Sequence, residues 1–296
     1  MGEIMRNELL NLYLFDLIQY VKTELLSNIA YFVVALILLY IAKLARDITT
    51  RGIDDDIEIT QKDNFAFGLY SAGYYLGVGL AFVGVFIGTE AAFLHNVIEL
   101  FQYGITGIVL MGMSYVLSDL IYLRRVKIME ELVAGNRAIA VFLMGRFIFT
   151  GLNVLAAIHG DGSWFISFVY FILGEAGCWV GFKIYCLVTP YDDIQSIVKG
   201  KEAVGIVSAG FMISLGLLAM NALWGDFLGY DVMVINFLGW FLGGVILLVI
   251  FRYIGSRILF PKSSLVEEIH RDNNKGAAFI MLAAYVMIAT VIVLSF

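Results

Sequence analysis

The chain has 296 residues, 61% of them hydrophobic and only 15% charged, with a mean hydropathy of +0.89 and a net charge of −6. A soluble domain carries about 25% charged residues, so the composition excludes a water-soluble globular protein and names lipid as the solvent. Cys178 and Cys186 lie eight residues apart in one apolar segment, which excludes an intrachain disulfide and a CxxC metal site.

Residues 8–26 place Leu9, Leu12, Phe15, Leu17 and Val21 among polar positions. They read as an amphipathic helix on the outer surface, so 1–26 forms a segment ahead of the first span. No basic n-region or small-residue cleavage site opens the chain, and residue 1 onward is expected in the mature protein. About 20 apolar residues cross a bilayer, and eight such segments follow: 27–45, 64–88, 94–120, 137–158, 164–188, 203–224, 230–252 and 276–296. Polar linkers at 46–63, 121–136, 189–202 and 253–275 join odd members to even ones. Even members reach odd ones through short turns such as 159–163 and Gly225-Asp226. The expected fold class is all-α: a polytopic membrane protein of eight transmembrane helices in four parallel two-helix repeats.

Lys and Arg set the orientation. Of the 19, fifteen sit in or beside the four linkers, from Lys43 and Arg46 to Arg271 and Lys275, and the short turns hold none. The linkers are therefore expected in the cytoplasm and both termini outside.

The start of each even span repeats a pattern: Asn, a small residue at +2 and +4, then Gly or Ala at +9. The copies are Asn64, Ala66, Gly68, Gly73; Asn136, Ala138, Ala140, Gly145; Lys201, Ala203, Gly205, Gly210; and Asn274, Gly276, Ala278, Ala283. Upstream of each runs an acidic-apolar stretch such as Asp55-Asp56-Ile57-Glu58 or Asp192-Asp193-Ile194. The first and third copies are 137 residues apart and the second and fourth 138, so a four-helix unit has been duplicated in tandem. The units are 27–158 and 159–296.

The segment Asp54-Asp55-Asp56-Ile57-Glu58, with Asp63-Asn64-Phe65-Ala66-Phe67-Gly68 and Ser71-Ala72-Gly73 after it, resembles the bacterial membrane family called domain of unknown function 350, the YjfL-like proteins. The resemblance covers nearly all of the chain beyond the N-terminal segment, as two consecutive copies. It implies a multi-pass protein of the bacterial inner membrane with both ends outside, and an association with envelope-stress genes. It implies no activity. Lys201 departs from the pattern where the other copies have Asn.

An Asn just before an apolar run caps the helix, its oxygen accepting from an N–H otherwise unpaired in lipid. Small residues at +2, +4 and +9 let helices approach closely. The functional alternative has the four motif heads converge on an axis and line a vestibule. The acidic-apolar stretches read as solvated linker, with docking of a cytoplasmic or membrane partner as the alternative.

Each charge within a span asks for a partner. Arg146 lies about 13 Å into the fourth span from one face and Glu175 about 16 Å into the fifth from the other. In a core of about 30 Å these depths coincide, and a tight turn joins the two spans. An Arg146–Glu175 pair near the midplane is expected, either as a structural lock or as part of a proton or ion path. His95 and Glu99, at i and i+4, are too few for a metal site.

The sequence contains no P-loop, GxSxG, HExxH or Gly-rich nucleotide turn, and the linkers are too short for catalytic domains. Neither an enzyme, a cofactor, a bound metal nor a nucleic-acid partner is expected. A membrane scaffold or envelope-stress component is the first reading; an ion or small-solute channel or transporter using Arg146 and Glu175 is the second. Oligomeric state and partners other than the bilayer stay open.

Overall fold

In hydrocarbon every backbone N–H and C=O needs a partner, and a helix supplies them within one segment. The computed structural model describes residues 2–21, 25–50, 52–86, 93–124, 126–159 and 163–295. Among these the helices are α1 (Gly2–Tyr20), α2 (Leu26–Thr49), α3 (Phe65–Phe86), α4 (Phe93–Leu117), α5 (Ile128–Val133), α6 (Arg137–His159), α7 (Trp164–Val188), α8 (Asp193–Val198), α9 (Glu202–Ala222), α10 (Tyr230–Leu259) and α11 (Lys275–Ser295). Eight of them, all but α1, α5 and α8, are long and apolar enough to cross a membrane. They fall on the eight expected segments.

The repeats stack side by side. Helix α3 packs on α6, α6 on α9 and α9 on α11, making a row of the even spans. A second layer fills its grooves: α4 lies against α3 and α6, α7 against α6 and α9, and α10 against α9 and α11. Helix α2 packs on α4 and touches α3. Burial follows position in the row. The apolar windows of α6 and α9 are 89% and 83% buried, against 56% for α3 and 33% for α11 at the ends. A row rather than a ring sets aside the alternative in which the motif heads converge on one axis.

The small residues at +9 explain how the row closes up. A Cβ built on Gly73 would lie 2.5 Å from Met144 Cα, one on Gly145 2.5 Å from Ala209 Cα, and one on Gly210 2.6 Å from Leu282 Cα. Only glycine fits there, and each contact pairs +9 of one repeat with +8 of the next. Ala283, the fourth member, is exposed.

The linkers are folded. Helices α5 and α8 bury Ile128, Leu132 and Ile197 against the row, so these stretches are packed caps rather than solvated linker. In the first and fourth repeats the same place is a π-turn, Ile57–Gln61 and Glu267–Arg271. A left-handed residue then reverses the chain into the span: Asp63, Gly135, Gly200 and Asn273, with φ of 50°, 83°, 79° and 52°.

The expected N-terminal helix is present as α1, but its apolar side chains are not confined to the stripe through Leu9, Leu12 and Leu17. Leu14 and Ile18 lie off it and are also exposed. Residues 22–24, the turn at 160–162, Arg51, Arg125 and the side chain of His95 lie outside the described residues.

Candidate functional site

The polar centre of the membrane region is built from α4, α6 and α7. Arg146 on α6 forms an ion pair with Glu175 on α7, and the two side chains are 1% and 7% exposed. Arg146 Nη1 donates to Thr150 Oγ1 at 2.9 Å. Thr150 is also 2.6 Å from Ser114 Oγ on α4. The guanidinium lies over the rings of Phe149 and Tyr122, at 4.9 and 5.3 Å. One turn further along α6, Asn153 Nδ2 donates to the Phe171 carbonyl at 3.0 Å. An interior ion pair that also satisfies part of its hydrogen-bonding capacity can persist in hydrocarbon; an unpaired charge there is far costlier. Some capacity is left over: Arg146 Nε, Glu175 Oε1, Asn153 Oδ1 and the Tyr122 hydroxyl are buried without a hydrogen bond. Among the described residues no group of three or more His, Cys, Asp or Glu could hold a metal.

The motif heads form a second polar system, on the linker face. Asn64, Asn136 and Asn274 each accept the backbone N–H three residues on, at 3.2, 3.2 and 3.1 Å. Their amide nitrogens donate to Glu58, Glu131 and Glu268. The same nitrogens tie each repeat to its successor: Asn64 to the Leu132 carbonyl at 2.9 Å, and Asn136 to the Val198 carbonyl at 3.1 Å. Lys201 continues the series, its Nζ donating to the His270 carbonyl at 2.5 Å. The cap that Lys201 cannot supply comes from the next repeat, where Asn273 Oδ1 accepts from Ala203 N at 2.9 Å. Of the small residues, Ala66, Ala138, Ala140, Ala203, Gly205 and Ala278 are buried. Gly68 is half-buried and Gly276 exposed.

Arg46, Asp55, Glu58, Asp193 and Arg252 are buried as well, although the sequence places them in or beside the polar linkers. Asp55 pairs with Arg46, both nearly inaccessible. Asp193, at the start of α8, is 1% exposed. Burial pushes its carboxyl up to about 7, opposed by the positive charge of Arg252. Arg252 lies over the Tyr185 ring at 4.9 Å and donates to the Tyr285 hydroxyl at 3.4 Å. A signal existed: Asp55 precedes Asn64 by nine residues and Asp193 precedes Lys201 by eight, whereas Ile128 and Leu265 stand there in the other repeats. The one-residue difference is the extra residue of the π-turn.

The family model Domain of Unknown Function (DUF350) matches residues 20–158 and again 162–296. The chain belongs to this family. Two adjacent DUF350 copies thus account for nearly all of the chain, and their boundary falls between α6 and α7. Along 261 residues the chain is 24% identical to a UPF0719 transmembrane protein of Aquifex aeolicus (strain VF5), covering 86% of this chain and 95% of that relative. No solved structure matches. As a DUF350 protein with eight apolar spans, the chain is a multi-pass membrane protein.

Proposed function

We propose that this tandem DUF350 protein is a scaffold of the bacterial inner membrane, without chemistry of its own, with its linkers in the cytoplasm and both termini outside. The observation that carries this reading is the filled, backbone-close row. Gly73, Gly145 and Gly210 bring successive helices into contact, and Phe142, Phe147, Phe149, Phe211 and Leu215 occupy the interior at 0–2% exposure. In such a core Arg146 and Glu175 act as a lock on the register of α6 against α7. The Lys and Arg distribution supports the orientation.

The competing reading, an ion path, is favoured by one observation: the four buried polar atoms around Arg146 that lack hydrogen bonds. Proteoliposome flux across common ions separates the two. A scaffold gives no flux above protein-free vesicles, and Glu175→Gln lowers thermal stability by about 3–5 kcal/mol, the cost of stranding a buried charge. Ion flux by the parent protein, lost in Glu175→Gln with stability intact, would overturn the scaffold.

A further inference from the structure

The contacts inside the row obey one register. Position +2 of a repeat meets +4 of the next, as Ala138 meets Gly205. Position +9 meets +8, at Gly73–Met144, Gly145–Ala209 and Gly210–Leu282. Position +13 meets +15, at Gly77–Gly151 and Phe149–Gly216. Each repeat therefore has a leading face (+2, +9, +13) and a receiving face (+4, +8, +15). Within the chain, two faces are left over: the receiving face of the first repeat and the leading face of the fourth.

The first keeps small residues at all three positions, and the second keeps them at two of three. On α3 the receiving positions are Gly68, Ala72 and Gly79; a Cβ on either glycine would meet nothing within 4 Å, and Ala72 is exposed. On α11 the leading positions are Gly276, Ala283 and Met287, all exposed. Small residues facing lipid gain nothing from it; they favour contact with another helix.

The second layer and the polar system end in the same way. Every groove between an odd helix and its even partner holds the preceding even helix: α4 and α6 hold α3, α7 and α9 hold α6, α10 and α11 hold α9. The α2–α3 pair alone has no preceding even span among the described residues, the helix before it being the terminal α1. It carries instead a groove of about 480 Å³ lined by Leu36, Leu39, Tyr40, Lys43 and Tyr75. Asn274 Nδ2 donates to Glu268, but among the described residues it has no bond to a following repeat. In the register of the other heads its acceptors would be the carbonyls of Thr60 and Gln61, both in an exposed segment.

We infer that copies of this chain assemble head to tail in the membrane plane, with α11 of one copy seated on α3 and in the α2–α3 groove of the next, continuing the row. The contact is heterologous, so it closes into a ring or runs on as a filament. Ala283 carries a methyl where the other repeats have Gly, which holds the contact between copies slightly wider than the contacts within one. The inference does not depend on the scaffold reading, since a conducting protein would carry the same two faces.

Cysteine pairing in native membranes tests it, with Cys178 and Cys186 changed to Ala. Within the chain, a Cβ at +9 would lie 2.9, 2.7 and 3.0 Å from the facing Cβ at +8. A methyl-width relaxation brings such a pair into the disulfide range of about 3.5–4.5 Å. Ala72→Cys with Ala283→Cys in one chain should give, on oxidation, a ladder of covalent oligomers ending at a ring or extending to high mass. Differently tagged single variants, expressed together, should give mixed dimers and nothing larger. Dimers of Ala283→Cys with itself, or no product from the paired variant, would overturn the proposal. In the unmodified background, Ala283→Leu should weaken association about tenfold, an overpacking effect, and Ala283→Gly should strengthen it, with monomer thermal stability unchanged in the Leu variant. Association indifferent to both would also overturn it.

Discussion

Asp193 sits where a carboxylate is poorly solvated. Arg252 from α10 faces it, with Tyr185 of α7, Tyr285 of α11, and Tyr191 and Asp192 beside it in the chain. Its folded-state value of about 7 lies above the ordinary 3.8, so the folded protein keeps a proton that the unfolded chain has already lost. Stability is then greatest at low pH and falls as pH rises through the window from about 4 to 7, levelling above it. Thermal unfolding in detergent should show that slope in the parent protein and lose it in Asp193→Asn; an unchanged slope in the variant would refute the assignment. Neither Asp193 nor the Arg46–Asp55 pair stood out as buried, because acidic residues in a short linker look solvated until they are aligned with Ile128 and Leu265 of the other repeats. Arg146 and Glu175 were legible because a charge within an apolar span has few places to go. Depth along two helices joined by a tight turn left each one obvious partner.

At the scale of helices, periodicity and length sufficed for the spans, since lipid permits few alternatives to a helix. The short caps were harder to foresee. Their six-residue helices are stable only through packing, and the partners are distant in the chain: Asn136 and Val198 are 62 residues apart. The π-turn in the first and fourth repeats, against an α-helical turn in the second and third, follows position in the row rather than the 137- and 138-residue duplication. Glycine supplies a direct test of the close approach. Gly145→Leu, which drives a side chain into the Ala209 backbone, should destabilise by about 1–3 kcal/mol or more. Gly112→Leu, where a Cβ meets nothing within 4 Å, serves as the control and should not destabilise, leucine being the better helix former. Equal Tm shifts for both would contradict the row.

For the molecule as a whole, the contacts that join the two DUF350 copies are of the same kind as those within each. Gly145 on Ala209, Gly205 on Ala138 and Gly216 on Phe149 all cross the boundary, as does the Asn136–Val198 hydrogen bond. A chain cut between 159 and 163 should therefore reassemble: co-expressed fragments 1–159 and 163–296 are expected to co-purify from membranes. Independent purification of the two would mean that the copies are tethered rather than packed. The four-repeat count was legible in the sequence, but a row and a ring share the same sequence repeat. The difference lies in how each face meets the next, which a motif alone does not encode.

The hydrogen bonds on the linker face run in one direction, from Asn64 to Leu132, Asn136 to Val198, and Lys201 to His270. Each donor thus waits for residues that lie 62 to 69 positions later in the chain. In the first two repeats the cap is made within the hairpin and only the outward amide needs the next repeat, whereas the third takes both its cap and the acceptor for its ammonium from the fourth. Each repeat made later in translation thus carries the acceptors for the one before it, and the fourth carries those for the third.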